Sequence, residues 1–178
     1  MDLNLHKPVT LFFILTITLF ISAGCEGPSG PQGPPGPETI PTSFEFEADL
    51  LQENDFEFFS EIPGAIEEVF GSDVMLAYVL EDVEDDDTEV WRKLPITDFN
   101  DDGTRLLDFD FTVADIRVFL DADYPLGAAD EFEGILIRAV HVPAGLVSSN
   151  KMKEAQKAAT VQELEVILDT EIKNIPLQ

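Results

Sequence analysis

Residues Ser43 to Leu50 read SFEFEADL. Phe44, Phe46, Ala48 and Leu50 alternate with Ser43, Glu45, Glu47 and Asp49, which places apolar side chains on one face of a strand and polar, mostly acidic ones on the other. An antiparallel strand with one face on a core and one in water has this pattern. It recurs downstream. Phe56 and Phe58 mark a second strand, Val74 to Glu81 a third with apolar residues on both faces, and Val90 to Leu94 a fourth. Leu107, Phe109, Phe111 and Val113 alternate with acids and Thr112 in a fifth, Ile116, Val118 and Leu120 mark a sixth, and Ile135 to Val142 a seventh. Turn signals separate them: Pro63-Gly64, the acidic run Glu81 to Asp87, Asn100 to Gly103, Tyr124 to Gly127, and Pro143 to Gly145. Short strands at this spacing predict a mainly β fold, an antiparallel β-sandwich or barrel-like domain over residues 43–178. The tail changes period. Lys151 to Asp169 is rich in Ala, Lys, Glu and Leu, and Thr160 with Glu163 matches a capping box, so one or two short C-terminal helices are predicted at the end of the sandwich.

Upstream of this domain the chain is of a different kind. Residues 8 to 24, PVTLFFILTITLFISAG, carry no charge and follow Lys7, as the apolar region of a signal peptide does. The stretch is short for a spanning helix, interrupted by Thr, and ends in small residues before Cys25. An uncleaved membrane helix is the competing reading. From Gly27 to Glu38 run four Gly-X-Y triplets: GPS, GPQ, GPP and GPE. Glycine at every third position satisfies the steric rule of the collagen triple helix. So few triplets form few interchain bonds, and the favoured reading is a polyproline-II spacer of about 37 Å at ~3.1 Å per residue. A trimer assembled through the triplets is the alternative. The organisation is thus 1–24 leader, 25–42 Cys25 plus collagen-like tether, and 43–178 globular domain.

Composition removes several functions. The 178 residues hold 36 acids against 10 Lys and Arg, a formal charge of −26 that repels phosphate backbones and argues against nucleic-acid partners. A single cysteine rules out an internal disulfide or a cysteine-rich metal site. It also rules out a redox cysteine pair, and no G-x-G-x-x-G loop is present for a dinucleotide.

Ser22-Ala23-Gly24-Cys25 resembles a bacterial lipobox, with Ser22 where an aliphatic residue is usual. The whole chain is similar to a group of collagen-triplet lipoproteins of Bacteroidota. That resemblance rests on the lipobox cysteine running into Gly-Pro triplets, and then on the strings DVMLAYVLEDV (73–83), VWRKLP (90–95) and LLDFDFTVADIRVFLD (106–121). It implies lipidation of Cys25, including palmitate-type acylation, and attachment to the cell envelope, with the outer membrane favoured. It implies no established activity.

Candidate sites are few. Asp98, Asn100, Asp102 and Gly103 fit positions 1, 3, 5 and 6 of a calcium loop, but Phe109 stands where a bidentate Glu is needed, and a strand follows where a helix should. The competing reading is a solvated turn with Gly103 at positive φ. A weaker Ca²⁺ site shared with Glu84 to Asp87 stays open. Trp91 is the only tryptophan, with Glu89 and Lys93 on its own strand face, and is the candidate for stacking on a sugar ring. His141 is the only histidine after the leader and sits in an apolar run with no nucleophile beside it, which points to a satisfied structural histidine. No catalytic residue stands out. The expectation is a non-enzymatic, lipid-anchored envelope protein that binds a protein, polysaccharide or cation, as a monomer. A small carboxylate-dependent hydrolase and a collagen-assembled structural trimer are the alternatives.

Overall fold

The computed structural model describes residues 40–176 except Glu67; the leader, Cys25 and the Gly-Pro triplets lie outside the described residues. In chain order the elements are β1 (Thr42–Leu50), β2 (Glu57–Glu61), β3 (Val74–Val83), β4 (Glu89–Lys93), β5 (Ile96–Phe99), β6 (Thr104–Phe111), β7 (Asp115–Ala122), β8 (Phe132–Val142), α1 (Ser149–Ala155), α2 (Val161–Leu168) and β9 (Lys173–Ile175). They form one sheet in the order β4-β3-β8-β1-β9 and another in the order β2-β7-β6-β5. Every pairing is antiparallel except that of β9 with β1. The mainly β sandwich read from the sequence is the fold.

Alternation decides which face meets which. Phe44, Phe46, Ala48 and Leu50 of β1 join Met75, Ala77 and Val79 of β3 and Ile137 and Ala139 of β8 on the inner face of the five-stranded sheet. Opposite them lie Ile116, Val118 and Leu120 of β7, with Phe58 of β2 and Leu107, Phe109 and Phe111 of β6 packed alongside. Phe46 and Phe58 stack across the two sheets with ring centroids 6.1 Å apart. Burying a side chain of this size contributes roughly 1.5–3 kcal/mol, so these facing rows hold the layers together.

The five-stranded sheet has a second apolar face. Leu76 and Tyr78 of β3 and Val140 and Val142 of β8 point away from the sandwich and are covered by Ala155 and Ala158 from α1 and its C-terminal turn and by Leu164 and Leu168 of α2. The helices therefore lie across this face instead of closing an end of the sandwich. The reason is the two-sided apolar pattern of β3 and β8, which leaves a face that must be covered. The Tyr78 hydroxyl reaches the Ala158 carbonyl at 3.4 Å, and burial, with the Glu163 charge adding to it, pushes the phenol pKa up to about 12. Half of the capping box forms as read: Thr160 Oγ1 accepts from the Glu163 N–H at 3.1 Å. Glu163 reaches one residue further back than the motif requires, accepting from the Ala159 N–H at 2.8 Å.

Two strands beyond the seven expected are short ones. β5 has four residues and β9 three, too few to show a period. β5 pairs with β6 as a hairpin, and β9 lies on β1, with Thr42 opposite Lys173.

The four arginines sit where acids surround them. On the outer face of the five-stranded sheet, Arg138 donates from Nε to Glu45 at 2.7 Å and from Nη2 to Glu89 at 3.1 Å, with its guanidinium 3.8 Å from the Trp91 ring centroid. On the outer face of the other sheet, Arg117 bonds Asp110 and Glu57 and lies over Phe119. A planar fork can bind two carboxylates and stack at once, which a lysine cannot. Arg138→Lys should lower stability by about 1 kcal/mol and shift Trp91 emission. Urea titration followed by tryptophan fluorescence measures both.

Candidate functional site

A cleft of about 440 Å³ lies between the sheets on the side where β3 and β4 face β5 and β6. Its walls are apolar: Val79, Ile96, Leu107, Leu120, Phe132 and Ile135. The four charged residues that line it arise from the same alternation that builds the core. Glu81 stands in phase with Met75, Ala77 and Val79, Arg92 with Leu94, Asp98 with Ile96, and Arg105 with Leu107 and Phe109. β3, β5 and β6 thus put a charge at the inward-facing position where the apolar row ends, β4 sets Arg92 between Val90 and Leu94, and the sheets meet there in a charged rim instead of a seam.

The rim groups are paired. Arg92 Nη1 donates to Glu81 Oε1 at 3.0 Å, and both side chains are about half exposed. Arg105 is held more firmly: Nη2 donates to Asp98 at 2.9 Å, Nη1 to Asp130 at 3.4 Å, and the guanidinium lies 5.0 Å from the Phe132 ring centroid. The Gly127 N–H, the Tyr124 hydroxyl and the Arg105 charge together hold the Asp130 carboxyl below its ordinary value. Two guanidiniums thus face three carboxylates at the rim. A volume of this size with apolar walls and a few convergent polar groups is the usual form of a small-molecule site.

The structure places the residues singled out from the sequence in three different settings. Asp98 is at the cleft, engaged with Arg105. Asn100 instead builds the β5–β6 turn: its Oδ1 accepts from the Asp102 and Gly103 N–H groups, both at 2.9 Å, and its Nδ2 donates to Tyr124. Gly103 has φ 152°, and a Cβ there would meet Asp123 Oδ1 at 2.1 Å, so the turn requires glycine. Among the described residues no three His, Cys, Asp or Glu side chains gather as a metal set. Trp91 has Glu89 and Lys93 on its own face, as read, but that face packs towards the helices. Its ring carries Arg138, its Nε1 donates to Glu89 at 2.9 Å, and the ammonium of neighbouring Lys93 donates to the Gln156 carbonyl. The sequence reading missed Glu81, Arg92 and Arg105 as site residues. The signal for them was a charge falling in phase with an apolar row.

His141 is buried, and its Nε2 lies 2.8 Å from Asp73 Oδ2. The Asp73 carboxylate also accepts from the Phe70 N–H on Oδ2 and the Ala144 N–H on Oδ1, both at 2.9 Å. Burial by itself would raise this carboxyl's pKa. The Ala144 and Phe70 N–H groups and His141 outweigh it and hold the group below its ordinary value. Asp73 thus ties the segment before β3 to the end of β8. Across the pairing from His141 stands Thr42, whose buried Oγ1 has no hydrogen-bond partner. None of these three residues lines the cleft. A more open apolar hollow of about 530 Å³ lies nearby, lined by Ile62, Ile66, Val69, Phe70 and Val113 among others.

No protein family, curated protein or solved structure matches the chain.

Two outcomes follow from the buried groups. Thr42→Val removes a hydroxyl that is desolvated without compensation, so the variant should be more stable by about 1 kcal/mol, read from the urea midpoint at unchanged slope. Asp73→Asn sets an amide N–H₂ against backbone donors and should cost about 1–3 kcal/mol at pH 7. A carboxyl whose pKa is lowered by folding stabilises the fold above its unfolded value and loses that contribution as pH falls through the folded value. The gap between wild type and Asp73→Asn should therefore shrink below about pH 4.

Proposed function

We propose that this protein is a lipid-anchored envelope lipoprotein whose acidic β-sandwich acts as a non-enzymatic binding module. The binding part of this reading is carried by one observation, the apolar cleft whose lining charges are consumed in pairs. Arg92 neutralises Glu81 and Arg105 neutralises Asp98, so these groups are arranged to hold a rim and orient a guest. A general base or nucleophile needs a group free to take a proton or attack, and the paired carboxylates are poorly suited to either task. The anchoring part rests on the sequence: the uncharged leader, the Ser22-Ala23-Gly24-Cys25 junction and the Gly-Pro spacer that would lift the domain from the headgroups.

Two experiments test the halves separately. Labelled palmitate should enter the wild-type protein and not Cys25→Ser, which should keep its Met1 end by mass spectrometry. An intact leader on the wild-type protein would remove the anchor. For the module, the neutral probe 4-phenylbutan-1-ol should shift the methyl signals of Leu107 and Leu120 in the full chain held in bicelles. Ile96→Trp, which fills the cleft from the edge strand β5, should abolish those shifts. If no probe moves these signals, the binding reading fails.

A further inference from the structure

We infer that the cleft takes a small organic cation: an apolar body seated between the sheets and a single ammonium or guanidinium head at the rim. This rests on the binding reading above and commits it to a class of ligand.

The choice of charge follows from how the rim is wired. Arg105 is poorly placed to attract an anion, because its single charge is already set between two carboxylates. Each of its terminal nitrogens donates one N–H, to Asp130 and to Asp98, and its guanidinium lies over Phe132. Arg92 is the only other cation lining the cleft, and an anion on its remaining N–H groups would sit beside the Glu81 carboxylate that already shares its charge. Glu81 would then stand beside a second negative charge. Two unit charges about 4 Å apart repel by about 1 kcal/mol in water and about 4 kcal/mol at a protein surface, which removes most of what the new pair would gain.

A cation meets the opposite situation. Glu81 and Asp98 stand on the two sheets that flank the cleft, and each is bonded to its arginine through one oxygen, Oε1 and Oδ2 respectively. Their other oxygens make no bond among the described residues, so a positive head can pair with a carboxylate on either wall without breaking its arginine pair. Three carboxylates against two guanidiniums leave the rim one negative charge in excess, and the chain's −26 adds a field of the same sign. The apolar walls supply the affinity. The rim supplies selection for charge.

The test uses three probes with one body and different heads: 4-phenylbutylamine, 4-phenylbutan-1-ol and 4-phenylbutanoate. Each is titrated into the full chain in bicelles of zwitterionic lipid at 0.15 M NaCl, where the Debye length is about 8 Å and the distant field is largely screened. The methyl signals of Leu107 and Leu120 are followed. The amine is expected to bind at least tenfold more tightly than the alcohol, and the carboxylate more weakly than either. Glu81→Gln combined with Asp98→Asn should bring the amine down to the alcohol's affinity and leave the alcohol's own affinity unchanged. Both side chains are about half exposed, so the double variant keeps its core, and its melting temperature verifies that. A carboxylate that binds as tightly as the amine overturns the inference, as does an amine advantage that survives the double variant. In either case binding of the alcohol leaves the module reading standing. Silence from all three probes would remove both.

Discussion

Strands β3 and β8 lie next to each other in the middle of the five-stranded sheet, and both are apolar on both faces. One sheet must therefore contribute to two cores at once. Its inner face needs the four-stranded sheet against it, and its outer face needs α1 and α2. β1 is apolar on one face only, and Glu45 and Glu47 on its other face meet an arginine or water. The segments between the strands then answer to this arrangement. Asp73, with two backbone N–H groups and His141 around it, fixes the approach to β3 against the exit from β8. A buried carboxylate is costly unless satisfied, and this one has three donors in place.

The acidic composition becomes workable through where the few arginines stand. Arg138 and Arg117 occupy the outer faces of the two sheets, each between two carboxylates and against an aromatic ring. Exposed pairs of this kind are worth little one at a time. Their larger effect is to tie together acids from strands that are not neighbours: Arg138 joins Glu45 of β1 to Glu89 of β4, and Arg117 joins Glu57 of β2 to Asp110 of β6.

Much of this was legible in the alternation of Phe44, Phe46, Ala48 and Leu50 and its echoes at Leu107 to Phe111 and Ile116 to Leu120, because a period of two assigns faces without reference to neighbours. The two-sided run in β3 was legible too, but not what covers it, since that depends on which strands end up adjacent. β5 and β9 were too short to carry a period, and β9 exists because β1 offers it an edge. At the cleft, the structure gives Asp98 a companion the sequence reading did not name. Its spacing to Asn100 and Asp102 suggested a loop for an ion, whereas the hairpin turns Asn100 back on the backbone and pairs Asp98 with Arg105, seven residues away. Arg105 and Glu81 went unnoticed because a charged residue at the end of an apolar row reads as the end of the strand.

That same feature explains why a cleft exists on this side of the sandwich. Closing the sheets over the rim would take Glu81, Arg92, Asp98 and Arg105 out of water, and stripping the hydration from paired charges costs several kcal/mol per ion, which their mutual attraction only partly returns. On the other side, where β1 packs against β2 and β7, the inward positions are filled by Phe46, Phe58 and Val118, and the layers meet through these side chains. The apolar rows draw the sheets together until the first inward charges are reached, and there the sandwich stays open. The opening lies by the edge strands β4 and β5, where exposed backbone could also pair with another chain. Inward-pointing charges on edge strands discourage such pairing. One set of side chains therefore keeps the cleft open and protects the edge beside it.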